Sequence, residues 1–172
     1  MSNTEIKKQL EEKIYEMEKV AKVFDIEPFD VYFLGGSGCI LGGYNDRATR
    51  DFDFIDLNYP SKLGKVFVHL REFDMLEYES TLISPLYKDR AKKLNKFKFL
   101  NIYVLSIEDI IVSKIIRLAK KDIQDIDKLI KTADKKLIKK IVDEVISRED
   151  LFNIKKKEFK RKLKIFKEIY HV

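Results

Sequence analysis

The run Arg47-Ala48-Thr49-Arg50-Asp51-Phe52-Asp53-Phe54 constrains the fold more than any other part of the chain. Its acids and phenylalanines alternate with a period of two, the side-chain period of a β-strand. On a strand, Phe52 and Phe54 face a core, and Asp51 and Asp53 share the other face about 7 Å apart. Two carboxylates so placed repel each other and lose solvation unless a cation joins them. The pair is therefore a candidate ligand set for shared metal ions. The plainer alternative is a solvated strand edge. Upstream, Val31-Tyr32-Phe33-Leu34 reads as a buried strand ending at the turn Gly35-Gly36-Ser37-Gly38. Cys39–Gly42 reads as a short helix whose N-terminus faces that turn, where free backbone N–H groups favour a phosphate. Ser37 is the N-cap of this helix, a hydrogen-bond donor to phosphate, or both.

Length and charge bound the rest. With 172 residues, 45% of them hydrophobic, the chain can bury a core as one domain or as one domain with a helical appendix. No apolar run approaches the ~18 residues that span a bilayer, and the charged start MSNTEIKKQLEEK is expected to carry no secretory signal. A single cysteine, Cys39, excludes an internal disulfide framework and suggests a reducing cytoplasm; with His69 and His171 it makes no zinc-type ligand set. The net charge of +6 resides in the tail: Leu151–Val172 holds eight Lys/Arg against two acids, so residues 1–150 are neutral overall.

The periodicities predict a helix over Thr4–Phe24, the two strands already named, and a helix over Lys62–Phe73. Further strands are predicted over Leu76–Ile83, with Glu77 and Glu79 on one face, and over Phe97–Leu105. Pro85–Asn95 reads as basic helix or loop. Ser106-Ile-Glu-Asp109 is a capping-box start for a helix through Ile110, Ile111, Lys114, Ile115 and Leu118. Asp122 can cap the next helix. Leu137, Ile141 and Val145 mark another, and Phe159, Leu163, Phe166 and Tyr170 the last. The expected fold is α+β: a small mixed sheet flanked by helices, with residues 1–105 as the α/β core and 106–172 as a helical region packed on it. Lys114, on a helix otherwise rich in Ile and Val, must reach solvent along its stem or face a polar cleft.

The combination of GGSG, a short helix and R-x-T-x-D-F-D-F resembles the first motif of the nucleotidyltransferase fold. More narrowly, it is similar to the AbiE-type toxin nucleotidyltransferases and their uncharacterised relatives, which carry Gly-Gly-Ser/Thr and then R-x-T-x-D-h-D-h, where h is apolar. Gly35–Phe54 matches closely; Leu105–Leu129 matches less tightly, through a helical lysine followed by Lys121-Asp122-Ile-Gln-Asp125-Ile126. The resemblance implies a Mg²⁺-dependent enzyme, with two ions expected, that moves NMP from an NTP to a hydroxyl and releases pyrophosphate. Asp51 and Asp53 would hold the metal. Gly35, Gly36, Ser37 and Gly38 would hold phosphate. Arg47 would contact phosphate or pin the loop by pairing with an acid, and Thr49 would bond the loop. The fold usually adds a third carboxylate from a neighbouring strand, for which Glu77 and Glu79 are the candidates, with Glu79 taken as a metal ligand. Lys114 would contact nucleotide phosphate, and Asp122 or Asp125 would be the aspartate that such toxins need.

The acceptor would be a tRNA or other RNA 3′ end, a protein side chain or a small molecule, and a toxin–antitoxin or phage-defence context would add an antitoxin-like partner. The basic tail is a solvated helix docked on the core, or a docking element for RNA or an acidic partner. The rival reading is a catalytically inactive module that keeps the fold for binding. Phosphoryl transfer at the same site is a further enzymatic alternative.

Overall fold

The computed structural model describes residues 3–44, 49 and 51–172. Helix α1 (Asn3–Val23) is followed by β1 (Asp30–Leu34), α2 (Gly35–Gly42) and β2 (Phe52–Asp56). Next come a 3-10 turn, α3 (Gly64–Phe67), a second 3-10 turn and β3 (Phe73–Glu77). A further 3-10 turn at Tyr78–Ser80 leads to α4 (Tyr87–Arg90), β4 (Lys92–Lys93) and β5 (Asn101–Val104). Four helices complete the chain: α5 (Ile107–Ile115), α6 (Lys120–Leu129), α7 (Lys135–Ile146) and α8 (Asn153–Tyr170). The fold is α+β, as the periodicities require. Among the described residues no helix is long and apolar enough to cross a membrane.

The chain divides into two compact units, Met1–Glu77 with Ala91–Leu105, and Tyr78–Arg90 with Ser106–Val172. The first holds the sheet, in the order β3-β2-β1-β5-β4. The β1–β2 and β4–β5 pairs are antiparallel; β1–β5 and β2–β3 are parallel. Central β1 is buried from Val31 to Leu34, which explains its unbroken apolar run. On β2 the alternation holds: Phe52 and Phe54 are fully buried and Asp53 is half-buried. The Phe54 ring lies 5.8 Å from that of Phe33 and 5.0 Å from that of Phe67, within the range of favourable aromatic pairs. The stripe Ile6, Leu10, Ile14, Met17 and Ala21 of α1 is buried in the same core.

Three elements differ from the sequence reading. The predicted helix over Lys62–Phe73 is broken into α3 and flanking 3-10 turns, and it stops at Arg71, whose φ of 68° no helix continues. Gly64 and the β-branched Val66 and Val68 give this stretch little helix propensity. The strand predicted over Leu76–Ile83 starts earlier and ends at Glu77, because β2 offers pairing partners only from Phe52 to Asp56. The strand predicted over Phe97–Leu105 is confined to Asn101–Val104. Ahead of it the buried Glu18 carboxylate takes the N–H groups of Phe99 and Leu100, both at 2.8 Å, in place of a neighbouring strand.

In the second unit α5 packs against α6, α7 and α8. Ser106 caps α5, its hydroxyl accepting from the Asp109 N–H at 3.1 Å. Buried Arg148 donates to the carbonyls of Tyr78, Thr81 and Ile83, and its guanidinium lies 3.8 Å from the centre of the Tyr78 ring. Arg90 forms a bidentate pair with fully buried Asp109, both bonds at 2.9 Å. These two arginines account for the grouping of residues 78–90 with the C-terminal helices. Replacing Arg148 by Met strands those carbonyls, at about 1–3 kcal/mol for each one that water does not reach. Arg148→Met is therefore expected to lower the urea midpoint and to open residues 78–90 to limited proteolysis.

Candidate active site

The first cluster forms where β1 meets α2. The antiparallel register sets Leu34 opposite Asp53, and α2 starts at the next residue, Gly35. Gly35 has a φ of +62°, and a β-carbon there would lie 2.1 Å from Asp53 Oδ2. Only glycine fits, on both backbone and space grounds. The Asp53 carboxylate thus sits against the first residue of a helix, where the helix dipole favours negative charge. The GGSG segment is itself the first turn of α2, four residues ahead of the helix start predicted at Cys39.

Ser37 is neither cap nor free donor. The N-cap position is Leu34, and the fully buried Ser37 hydroxyl accepts from the Asp53 N–H at 3.2 Å while donating to the Leu34 carbonyl at 3.3 Å. It ties α2 to β2. A β-carbon on Gly36 would lie 3.2 Å from Thr49 Cβ, so Thr49 packs on the turn. Gly38 is buried within α2. Asp51 is exposed and lies one residue before β2, not within it. Arg47 lies outside the described residues.

The two acids proposed from sequence as a third carboxylate do not share a strand. Glu77 ends β3 in register with Asp56, whereas Glu79 is exposed on the 3-10 turn Tyr78–Ser80 in the second unit. The residue in register with Asp53 on the adjacent parallel strand is Asp74. Sequence reasoning missed it by extending a helix to Phe73, whereas pairing with β2 begins the strand at that residue. Among the described residues no three of His, Cys, Asp and Glu are grouped closely enough to hold a metal ion.

The second cluster brings together Lys114, Arg117, Asp122 and Asp125. Lys114, only 6% exposed, places Nζ 2.9 Å from Asp125 Oδ2 and 3.5 Å from Asp122 Oδ1. Its stem does not reach solvent; its charge is met by two buried carboxylates. Arg117 grips Asp122 with two bonds of 2.6 Å, although its side chain is 69% exposed. Asp122 also accepts from the Ala119 N–H at 3.0 Å, holding the first turn of α6 from the N3 position rather than as its N-cap. Burial alone would raise the Asp122 carboxyl, but the Arg117 hydrogen bonds, the Lys114 and Arg117 charges and the Ala119 N–H outweigh it and hold it below the ordinary value.

Two predictions follow from these geometries. Gly35→Ala forces a methyl into the Asp53 carboxylate and is expected to cost about 1–3 kcal/mol, read from thermal or urea unfolding. Asp122 with a lowered folded value stabilises fully above the ordinary carboxylate range, and that contribution is lost as pH falls through the lowered value. Asp122→Asn should therefore be less stable than the wild type at neutral pH, with the gap closing as pH falls through and below the ordinary carboxylate range in acid titrations followed by circular dichroism.

The family model described as Nucleotidyltransferase of unknown function (DUF6036) matches residues 8–170. No curated protein and no solved structure matches the chain in the corresponding comparisons. The narrower likeness to AbiE-type toxins rests on the sequence motifs alone.

Proposed function

Because the chain belongs to this nucleotidyltransferase family, we propose that it transfers NMP from an NTP to an acceptor hydroxyl with release of pyrophosphate. The observation that carries the reading is the seat of the Asp53 carboxylate against Gly35, with Ser37 joining the same two elements. It makes the acid strand and the glycine-rich helix start one rigid piece, as positioning a phosphorus centre demands. Asp51 and Asp53 are hard oxygen donors of the kind Mg²⁺ takes together with substrate phosphates, so they would hold the ion. The bound ion would neutralise charge on the phosphates. The N–H groups at the start of α2 would orient the triphosphate, and Arg47 would add a cation.

The sequence resemblance assigns Lys114 a phosphate contact and Asp122 or Asp125 an essential carboxylate. Their mutual ion pairs give each a structural role as well. That burial is also the observation favouring the second reading, a binding module without catalysis. The acceptor (RNA 3′ end, protein or small molecule), an antitoxin-like partner and a cytoplasmic setting belong to the proposal as well.

Calorimetric titration of ATP, GTP, CTP and UTP with Mg²⁺ into the wild type and into Asp51→Asn/Asp53→Asn tests it. Metal-dependent binding of a nucleotide to the wild type, lost in the folded variant, is the expected result. Where turnover is measurable, losing such a charge-stabilising group should cost about 10²–10³ in kcat. A folded wild type that binds no nucleotide sinks the enzymatic reading.

A further inference from the structure

The lysines of α8 are not spread evenly round the helix. Phe159, Leu163, Phe166 and Tyr170 form its buried stripe. Lys157, Lys160, Lys164 and Lys167, spaced three, four and three residues apart, share another face, and all are exposed. Over about 15 Å of helix that face presents four cations, bordered at its C-terminal end by the exposed Glu168, four residues after Lys164. The remaining cations of α8 are engaged differently: Lys155 donates to the Ser80 carbonyl, Lys162 to the Arg117 carbonyl, and Arg161 pairs with Glu158. Lys156 lies close enough to Asp150 to help lower its carboxyl. Among the described residues the side chains of these four lysines make no ion pair or hydrogen bond. Four aligned cations on one exposed helix face make a surface whose complement is a polyanion.

We infer that this face binds the phosphodiester backbone of a single-stranded nucleic acid, a surface independent of the proposed chemistry. Two features favour this partner over an acidic protein. Protein interfaces exclude lysine from their cores and need an apolar centre. Here the exposed isoleucines Ile165 and Ile169 lie on a different flank of the helix and are not interleaved with the lysines. Single-strand binders instead combine a cationic track with an aromatic face on which a base stacks. Phe152, at the N-cap of α8 and 69% exposed, supplies that face one to two turns ahead of Lys157. The lysines would bind without regard to sequence, as point charges on phosphates.

The test is fluorescence anisotropy of the full chain with labelled 20-nucleotide single-stranded RNA and DNA of mixed sequence, between 50 and 200 mM salt. A dependence of log K on log salt near −0.7 per phosphate contacted is expected, about −3 for four contacts. Lys157→Gln/Lys160→Gln/Lys164→Gln/Lys167→Gln leaves the buried stripe intact and should abolish most of that slope, weakening binding at least tenfold. Phe152→Ala should weaken binding about fivefold or more with the slope unchanged. Lys131→Gln/Lys136→Gln/Lys139→Gln/Lys140→Gln, which removes the same charge from the same unit, should bind as the wild type does. Binding of RNA and DNA alike, or of RNA alone, supports the proposal and identifies the strand. Equal losses in the two quadruple variants would mean net charge only and would overturn it. So would displacement by polyglutamate as effective as by unlabelled oligonucleotide, or binding to phosphatidylserine vesicles and to neither strand.

Discussion

The contact between Gly35 and the Asp53 carboxylate is the constraint around which the first unit is arranged. It exists because β1 runs straight into α2, and because the antiparallel register brings Asp53 to the residue where β1 ends. A side chain at position 35 would occupy the space the carboxylate fills. Ser37 completes the joint by accepting the Asp53 N–H and returning its own hydroxyl to Leu34. The Phe52 and Phe54 side chains anchor β2 from the opposite face, so the acid is held by a helix start on one side and an aromatic core on the other. The same arrangement that packs the strand therefore presents the carboxylate.

The second unit works by a different principle. Its buried charges come as matched sets: Arg90 with Asp109, Lys114 with Asp122 and Asp125, and Arg148 with backbone carbonyls and Asp150. A buried ion pair need not add stability over apolar packing, but removing one partner leaves an uncompensated charge. Such networks resist single substitutions, and they fix which segments can pack together. The grouping of residues 78–90 with α5–α8 is decided by two arginines rather than by apolar area alone. The row of lysines on α8 is by contrast a surface feature rather than a packing one.

Much of this was legible in the sequence. The α1 stripe, the buried β1, the Phe/Asp alternation, the Ser106 cap and the α8 stripe follow from periodicity and capping chemistry, which depend only on neighbours a few residues away. The two misplaced strands share a cause. The strand predicted to end at Ile83 and the one predicted to begin at Phe97 were both trimmed by partners distant in the chain, β2 in one case and Glu18 in the other. Asp74 was hidden by the helix predicted through Phe73, and its place beside Asp53 is a matter of inter-strand register.

The residues that could form the candidate site are already visible along the chain: a glycine-rich segment after a buried strand, two acids in alternation with phenylalanines, and a lysine followed by two aspartates. Local geometry suffices for that, because the side-chain periods of strand and helix are properties of the backbone. How those residues use their polar groups is set instead by the folded packing. Ser37 is committed to Asp53 and Leu34, Lys114 to two carboxylates, and Asp122 to Arg117. The Ser37–Asp53 and Lys114–carboxylate commitments join groups from different secondary-structure elements, and the packing of those elements sets them within hydrogen-bonding distance.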